Sequence, residues 1–205
     1  MLATRLDPEE LREAIRAFQA ACTSVIRRYD GTISRYMGDG ILALFGYPRA
    51  HEDDAERAVR SGLDIISVMA TLPAPGGADS AERLAARVGI ATGLVVAGDL
   101  IGEGASEEEA VVGETPNLAA RIQGLASANT VVIAASTRSL IGERFDYLDL
   151  GTHTMKGFAV PVQAWRVLAP RFAGSRFEAA QRVGVSARVN REEHMRWLLR
   201  LWQEA

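Results

Sequence analysis

The stretch Tyr36-Met37-Gly38-Asp39-Gly40-Ile41-Leu42-Ala43-Leu44-Phe45-Gly46 sets an acidic residue between two glycines where two apolar runs meet. Ile33 to Met37 and Ile41 to Phe45 read as short strands, and Gly38-Asp39-Gly40 is a hairpin signal of the Asp-Gly type. Two readings of Asp39 follow. Asp and Gly dominate hairpin turns for backbone reasons, so Asp39 can be a plain turn residue. A carboxylate fixed on a tight turn can also hold a metal ion through its hard oxygen atoms.

Upstream of the hairpin, Asp7-Pro8-Glu9-Glu10 opens a helix by capping and first-turn acidity. Leu11, Ile15, Phe18, Cys22, Val25 and Ile26 follow a helical period, and Asp30-Gly31 should end it. Downstream, a second helix is expected from His51 to Leu72, broken by Pro73-Ala74-Pro75-Gly76-Gly77. Leu84 to Ala91 and Leu94 to Leu100 are further strands about Thr92-Gly93, followed by an acidic loop from Gly102 to Glu109. Thr130 to Ala134, Phe145 to Leu150 and Val160 to Leu168 complete the strands, with a short helix at Thr137 to Ile141. Strands and helices interleave without strict alternation, which predicts an α+β fold with an antiparallel-rich sheet.

Composition narrows the class of protein. The chain has 205 residues, 48% of them hydrophobic, enough for one sizeable core and a small appendage. A formal charge of -3 offers no basic footprint, so nucleic acid is not an expected partner. The single cysteine, Cys22, excludes an internal disulfide and suits a reducing, cytoplasmic compartment; its place in an amphipathic helix favours a core thiol over a nucleophile. No apolar run approaches a membrane span, and Met1-Leu2-Ala3-Thr4-Arg5 does not read as a signal peptide.

A second cluster stands far along the chain: Val111-Val112-Gly113-Glu114-Thr115-Pro116-Asn117-Leu118-Ala119-Ala120-Arg121-Ile122. Asn117 and Arg121, four apart, share one helical face, with Thr115 as the expected cap and Pro116 in the first turn. Together with the Asp39 hairpin, Arg49-Ala50-His51-Glu52-Asp53-Asp54-Ala55, Val88-Gly89-Ile90-Ala91-Thr92-Gly93 and Met155-Lys156-Gly157, this segment resembles the class III adenylate/guanylate cyclase catalytic domain. The pattern looks most like the bacterial and soluble adenylate cyclases, and runs in order from about residue 6 to residue 168.

The resemblance implies a ferredoxin-like βαββαβ cyclase core with an added hairpin. It implies conversion of ATP, or of GTP, to the 3′,5′-cyclic monophosphate and pyrophosphate. Two divalent cations, Mg²⁺ or Mn²⁺, serve that chemistry, and Asp39 matches one of the family's metal carboxylates. Asn117 matches the residue that orients the ribose, and Arg121 the one that stabilises charge on the α-phosphate. Lys156 matches the lysine on the terminal phosphates, although a solvated loop lysine would look the same in sequence. Arg35 and Ala110 occupy the two base-reading positions, where adenylate-selective members carry lysine and an aspartate or threonine; ATP and GTP both stay open as substrates. Family sites are shared across a homodimer.

One departure concerns the start of the chain. The family's other metal carboxylate lies in a Phe-x-Asp strand directly before the segment matching Arg5-Leu6-Asp7-Pro8-Glu9, so the resemblance implies an N-terminally truncated core with its first strand missing. Asp7, Glu9 and Glu10 read as helix-start residues rather than substitutes. On that reading this chain alone is expected to be inactive or nearly so. The alternative is a catalytically inactive cyclase homology domain serving as a nucleotide-binding, dimerisation or regulatory module.

The C-terminal part changes character. Residues 1–168 form the expected cyclase domain and 169–188 a linker, after which Asn190, with Glu193 three residues on, starts a helix over 189–205. That helix resembles the opening of a P-loop ATPase domain of the kind that follows bacterial cyclase modules. An ordinary helix burying Trp197, Leu198, Leu201 and Trp202 on a partner surface fits the same residues, and no Gly-rich phosphate loop follows within the chain.

Overall fold

The computed structural model describes residues 7–74, 83–98 and 110–171. Helix α1 (Pro8–Arg28) opens on a full capping box. The Asp7 carboxylate accepts from the backbone N–H groups of Glu9 (2.8 Å) and Glu10 (2.9 Å), and the Asp7 N–H donates to the Glu10 carboxylate at 3.4 Å. Asp7 is therefore committed to the helix start, as its sequence context predicts. The helix ends at Tyr29, and Asp30 turns the chain at a φ of +57°.

Strands β1 (Thr32–Met37) and β2 (Gly40–Leu44) form the expected antiparallel hairpin. Its turn differs in detail from the Asp-Gly type. Met37 pairs with Gly40, so the two loop residues are Gly38 and Asp39, and Gly38 takes the positive φ of +62°. A type II′ turn wants glycine at this first central position. Gly38 supplies the backbone freedom, and Asp39 carries the exposed carboxylate.

Helix α2 (Asp54–Met69) is shorter than the predicted His51–Leu72 span, because the His51 N–H donates to the Asp54 carboxylate (2.6 Å) in a turn that precedes the helix. The chain continues through β3 (Arg87–Ile90), β4 (Val96–Gly98), β5 (Ala110–Val112), α3 (Glu114–Leu125), β6 (Thr130–Ala134), α4 (Ala135–Ile141), β7 (Phe145–His153) and β8 (Val162–Pro170). The third strand is shorter than the expected Leu84–Ala91, the fourth starts at Val96 rather than Leu94, and β5 is an additional strand; it pairs antiparallel with β4, setting Val96 opposite Val112. The last strand runs two residues beyond the predicted Leu168. The chain is then fastened at Arg171, whose N–H donates to the Arg144 carbonyl at 2.8 Å and whose guanidinium binds Asp146 and Glu143. The acidic loop over 102–109, the linker beyond Arg171 and the helix over 189–205 lie outside the described residues.

The main sheet has the order β3-β6-β8-β7, with β3 and β6 parallel and the other pairs antiparallel. All five residues of β6 are buried, as expected of a central strand covered on both faces. On one face Val131, Ile133 and Val167 meet Val59 of α2, Ile141 of α4 and Phe145. On the other, Val132, Ala134 and Ala164 meet Ile122 of α3, with Met155 and Phe158. A third cluster joins Cys22, Val25 and Ile26 of α1 to Ile65 and Met69 of α2, and receives Ile33, Ile41, Ala43 and Phe45 from the hairpin and Val88 from β3.

The order α1-β1-β2-α2-β3 follows the βαββαβ pattern after its opening strand. Among the described residues β2 pairs only with β1 and β3 only with β6, so each has one edge without a strand partner. The architecture is α+β, as expected from the sequence. No helix among the described residues is long and apolar enough to cross a membrane.

Candidate active site

Asp39 sits at the tip of the β1–β2 hairpin, exposed, and its carboxylate makes no hydrogen bond or ion pair among the described residues. An unengaged carboxylate has the oxygen chemistry that Mg²⁺ or Mn²⁺ seeks. It is one ligand only: no group of three or more His, Cys, Asp or Glu side chains that could hold an ion occurs among the described residues. Two side chains of α1 reach the same hairpin end. The Gln19 amide donates to the Gly38 carbonyl at 3.0 Å, and the Thr23 hydroxyl and the Tyr36 phenol share a hydrogen bond of 2.8 Å.

Arg35 lies on β1 just past an irregularity in register between Ile33 and Arg35, a device that re-aims side chains along a strand. Its Nε is buried with no hydrogen-bond partner. A guanidinium nitrogen held away from water without a partner costs free energy that an acceptor on a bound molecule would recover. Ala110 stands at the start of β5, opposite Gly98.

Asn117 and Arg121 lie one turn apart on α3, both exposed, while Leu118 and Ile122 turn into the core. Arg121 has no hydrogen-bond or ion-pair partner among the described residues. The Asn117 amide donates back to the Gly113 carbonyl at 3.2 Å. The expected Thr115 cap is not used. Gly113, at a φ of +147°, occupies the cap position, and the Thr115 hydroxyl donates instead to the Leu94 carbonyl (2.8 Å), tying the start of α3 to the loop before β4. Helix α3 also seats closely on β3: a Cβ built on Gly89 would lie 2.3 Å from the Gln123 nitrogen and 2.4 Å from the Ala119 oxygen.

Lys156 is exposed in the turn between β7 and β8, where Met155 and Phe158 enter the α3 cluster and the Phe158 N–H donates to the Met155 carbonyl at 3.1 Å. The structure thus divides the candidate residues into two sets. Asn117, Arg121 and Lys156 stand on elements rooted in one apolar cluster, whereas Asp39 and Arg35 belong to the hairpin rooted in another. Among the described residues no hydrogen bond or ion pair joins the Asp39 turn to Asn117, Arg121 or Lys156. Gln19 and Thr23 were missed by sequence reasoning; their spacing of four on α1 was visible, but their contact with the hairpin depends on the tertiary fold.

Comparisons with known proteins bear on the family of the chain. The family model described as the adenylate and guanylate cyclase catalytic domain matches residues 1–168. An uncharacterized protein of Rhizobium meliloti (strain 1021) is 34% identical over 200 residues, covering 96% of this chain and 19% of its own length. The chain spans between 19% and 37% of the length of the first curated relatives it matches. Among solved structures, the guanylyl cyclase Cya2 superposes with a TM-score of 0.74 at 29% identity, over 84% of this chain and 87% of that one. The adenylyl cyclase CyaB from P. aeruginosa gives a TM-score of 0.73 at 27% identity, over 83% and 88%. With the family model matched over residues 1–168 and an α+β core shared with solved cyclase domains, the chain belongs to the adenylate and guanylate cyclase catalytic domain family.

Proposed function

We propose that the protein makes a 3′,5′-cyclic nucleotide and pyrophosphate from a nucleoside triphosphate, at a site shared between two copies of the chain. The observation that carries this reading is the division of the candidate polar side chains into two sets on separate elements of one chain, the Asp39 hairpin and the Asn117–Arg121 helix face. In a head-to-tail homodimer the hairpin of one copy would meet α3 of the other, giving two equivalent sites. Apolar exposure on the β4–β5 pair and the loop before it supports a partner surface: Leu94 is 94% exposed, Val96 58% and Val112 54%.

In this reading Asp39 would hold a divalent cation through its carboxylate, and such ions would supply charge neutralisation at the phosphates and a lower pKa for the 3′-hydroxyl. Asn117, released from the Gly113 carbonyl, orients the ribose. The Arg121 guanidinium donates to the α-phosphate oxygens as negative charge grows there, a stabilisation already in place before reaction. Lys156 attracts the terminal phosphates. Arg35 faces the base beside Ala110, and its fork of donors can serve acceptors on either purine, so ATP and GTP are both assayed. A nucleoside triphosphate is supplied inside the cell, which supports a cytoplasmic location and a signalling product.

Asp7 is occupied as a helix cap, so Asp39 is the one metal carboxylate we assign. The direct test is cyclic nucleotide formation from ATP and from GTP with Mn²⁺ by the protein as its gene encodes it. Arg121→Ala should lower kcat by about 100- to 1,000-fold with little change in Mn²⁺ dependence. Undiminished kcat in that variant would contradict the role of Arg121. Nucleotide binding without any product would favour an inactive, regulatory domain.

A further inference from the structure

We propose that Gln19 and Thr23 are positioning residues that hold the Asp39 turn in its ligating geometry; the proposal rests on the reading of Asp39 as a cation ligand. The β1–β2 hairpin pairs with no other strand among the described residues, and an isolated two-stranded hairpin is marginally stable in water. Its lower half is anchored by Ile33, Ile41, Ala43 and Phe45 in the α1–α2 cluster. Its far end is not: Tyr36 and Met37 are exposed, and so are Gly38 and Asp39. Apolar burial therefore cannot fix the turn.

Two polar ties take its place, both from one face of α1. Gln19 and Thr23 are four residues apart, so their side chains lie one above the other along the helix. The Gln19 amide donates to the Gly38 carbonyl at 3.0 Å. That carbonyl belongs to the peptide unit joining Gly38 to Asp39. Because the unit is planar and stiff, holding its oxygen also fixes the direction of the Asp39 N–Cα bond. Gly38, with its wide backbone freedom at φ +62°, is the residue about which this unit would otherwise rotate. The second tie, between Thr23 and Tyr36 at 2.8 Å, holds the strand just before the turn. A cation ligand has to be held to within about half an ångström, and groups behind the ligand typically alter affinity by about 10- to 100-fold.

The test measures Mn²⁺ binding through the paramagnetic broadening of amide signals at residues 38–40, which reads weak binding by a single carboxylate, in the absence of nucleotide, using the protein as its gene encodes it, with the variants Gln19→Met, Thr23→Val, Tyr36→Phe and Asp39→Ala. Gln19→Met keeps the side-chain length and removes the donor. It should weaken Mn²⁺ binding about tenfold while the melting temperature stays close to that of the unaltered protein. Thr23→Val and Tyr36→Phe delete the same hydrogen bond, so each should weaken binding and the double variant should be no worse than either alone. Amide hydrogen exchange across residues 36–41 should quicken in Gln19→Met with or without metal, a readout independent of catalysis. Unchanged Mn²⁺ affinity and exchange in Gln19→Met, with affinity lost in Asp39→Ala, would overturn the positioning role and leave Asp39 as a ligand. Equal affinity in Asp39→Ala, or no Mn²⁺ binding by the unaltered protein, would overturn the metal reading and the proposal with it.

Discussion

Cys22 shows how little a residue's reactivity can be judged from its type alone. The thiol is buried between α1 and α2, and burial pushes its pKa from the ordinary 9.0 up to about 11. The thiolate is the reactive form, so alkylation of the native protein at pH 8 should be about a hundredfold slower than that of the unfolded chain. The same shift has a stability consequence. Below pH 9 the thiol is neutral in both states; above it the unfolded chain ionises first, so stability should fall as the pH rises from about 9 towards 11. Burial raises Tyr29 as well, with the Asp64 carboxylate accepting its hydroxyl, and acts in the same direction. Thermal melts across that interval check the sign: a melting temperature that climbed with pH would contradict it. The residue-level signals legible in sequence were those with a local cause, such as Asp7 at its cap and Cys22 on a helical stripe. Thr115 misled because its local capping signal lost to a tertiary acceptor, the Leu94 carbonyl.

At the scale of elements, periodicity, caps and breakers located the four helices among the described residues and both strands of the Asp39 hairpin, while their ends and pairing were decided by contacts distant in sequence. The fifth strand, Ala110–Val112, went unread because three residues carry too short a pattern and its partner β4 lies across the acidic loop. The seat of α3 on β3 was likewise hidden. Its key residue, Gly89, reads in sequence as a weak point in a strand; in the fold it is where helix backbone approaches strand backbone. Gly89→Ala would force its Cβ against the backbone at Ala119 and Gln123, which cannot rotate aside as a side chain could. The substitution should cost about 1–3 kcal/mol or more of stability and displace the helix that carries Asn117 and Arg121. Chemical denaturation compared with the unaltered protein measures the first effect. Equal midpoints would show that α3 is not held where the structure sets it.

For the whole molecule, the proposed site needs two copies of the chain, each contributing one of the two sets of candidate residues. The motifs reveal both sets, and the family resemblance implies their division between two copies; spacing along a chain by itself carries no information about which cluster an element roots in. The decisive measurement mixes two inactive variants of the protein as its gene encodes it, Asp39→Ala and Arg121→Ala, and follows cyclic nucleotide formation with Mn²⁺. Each homodimer lacks one half at both sites. A mixed dimer combines both lesions in one site and leaves the other intact, so random mixing should restore about a quarter of the unaltered rate. Activity no greater than that of the separate variants, in a mixture shown to contain heterodimers, would contradict the shared site.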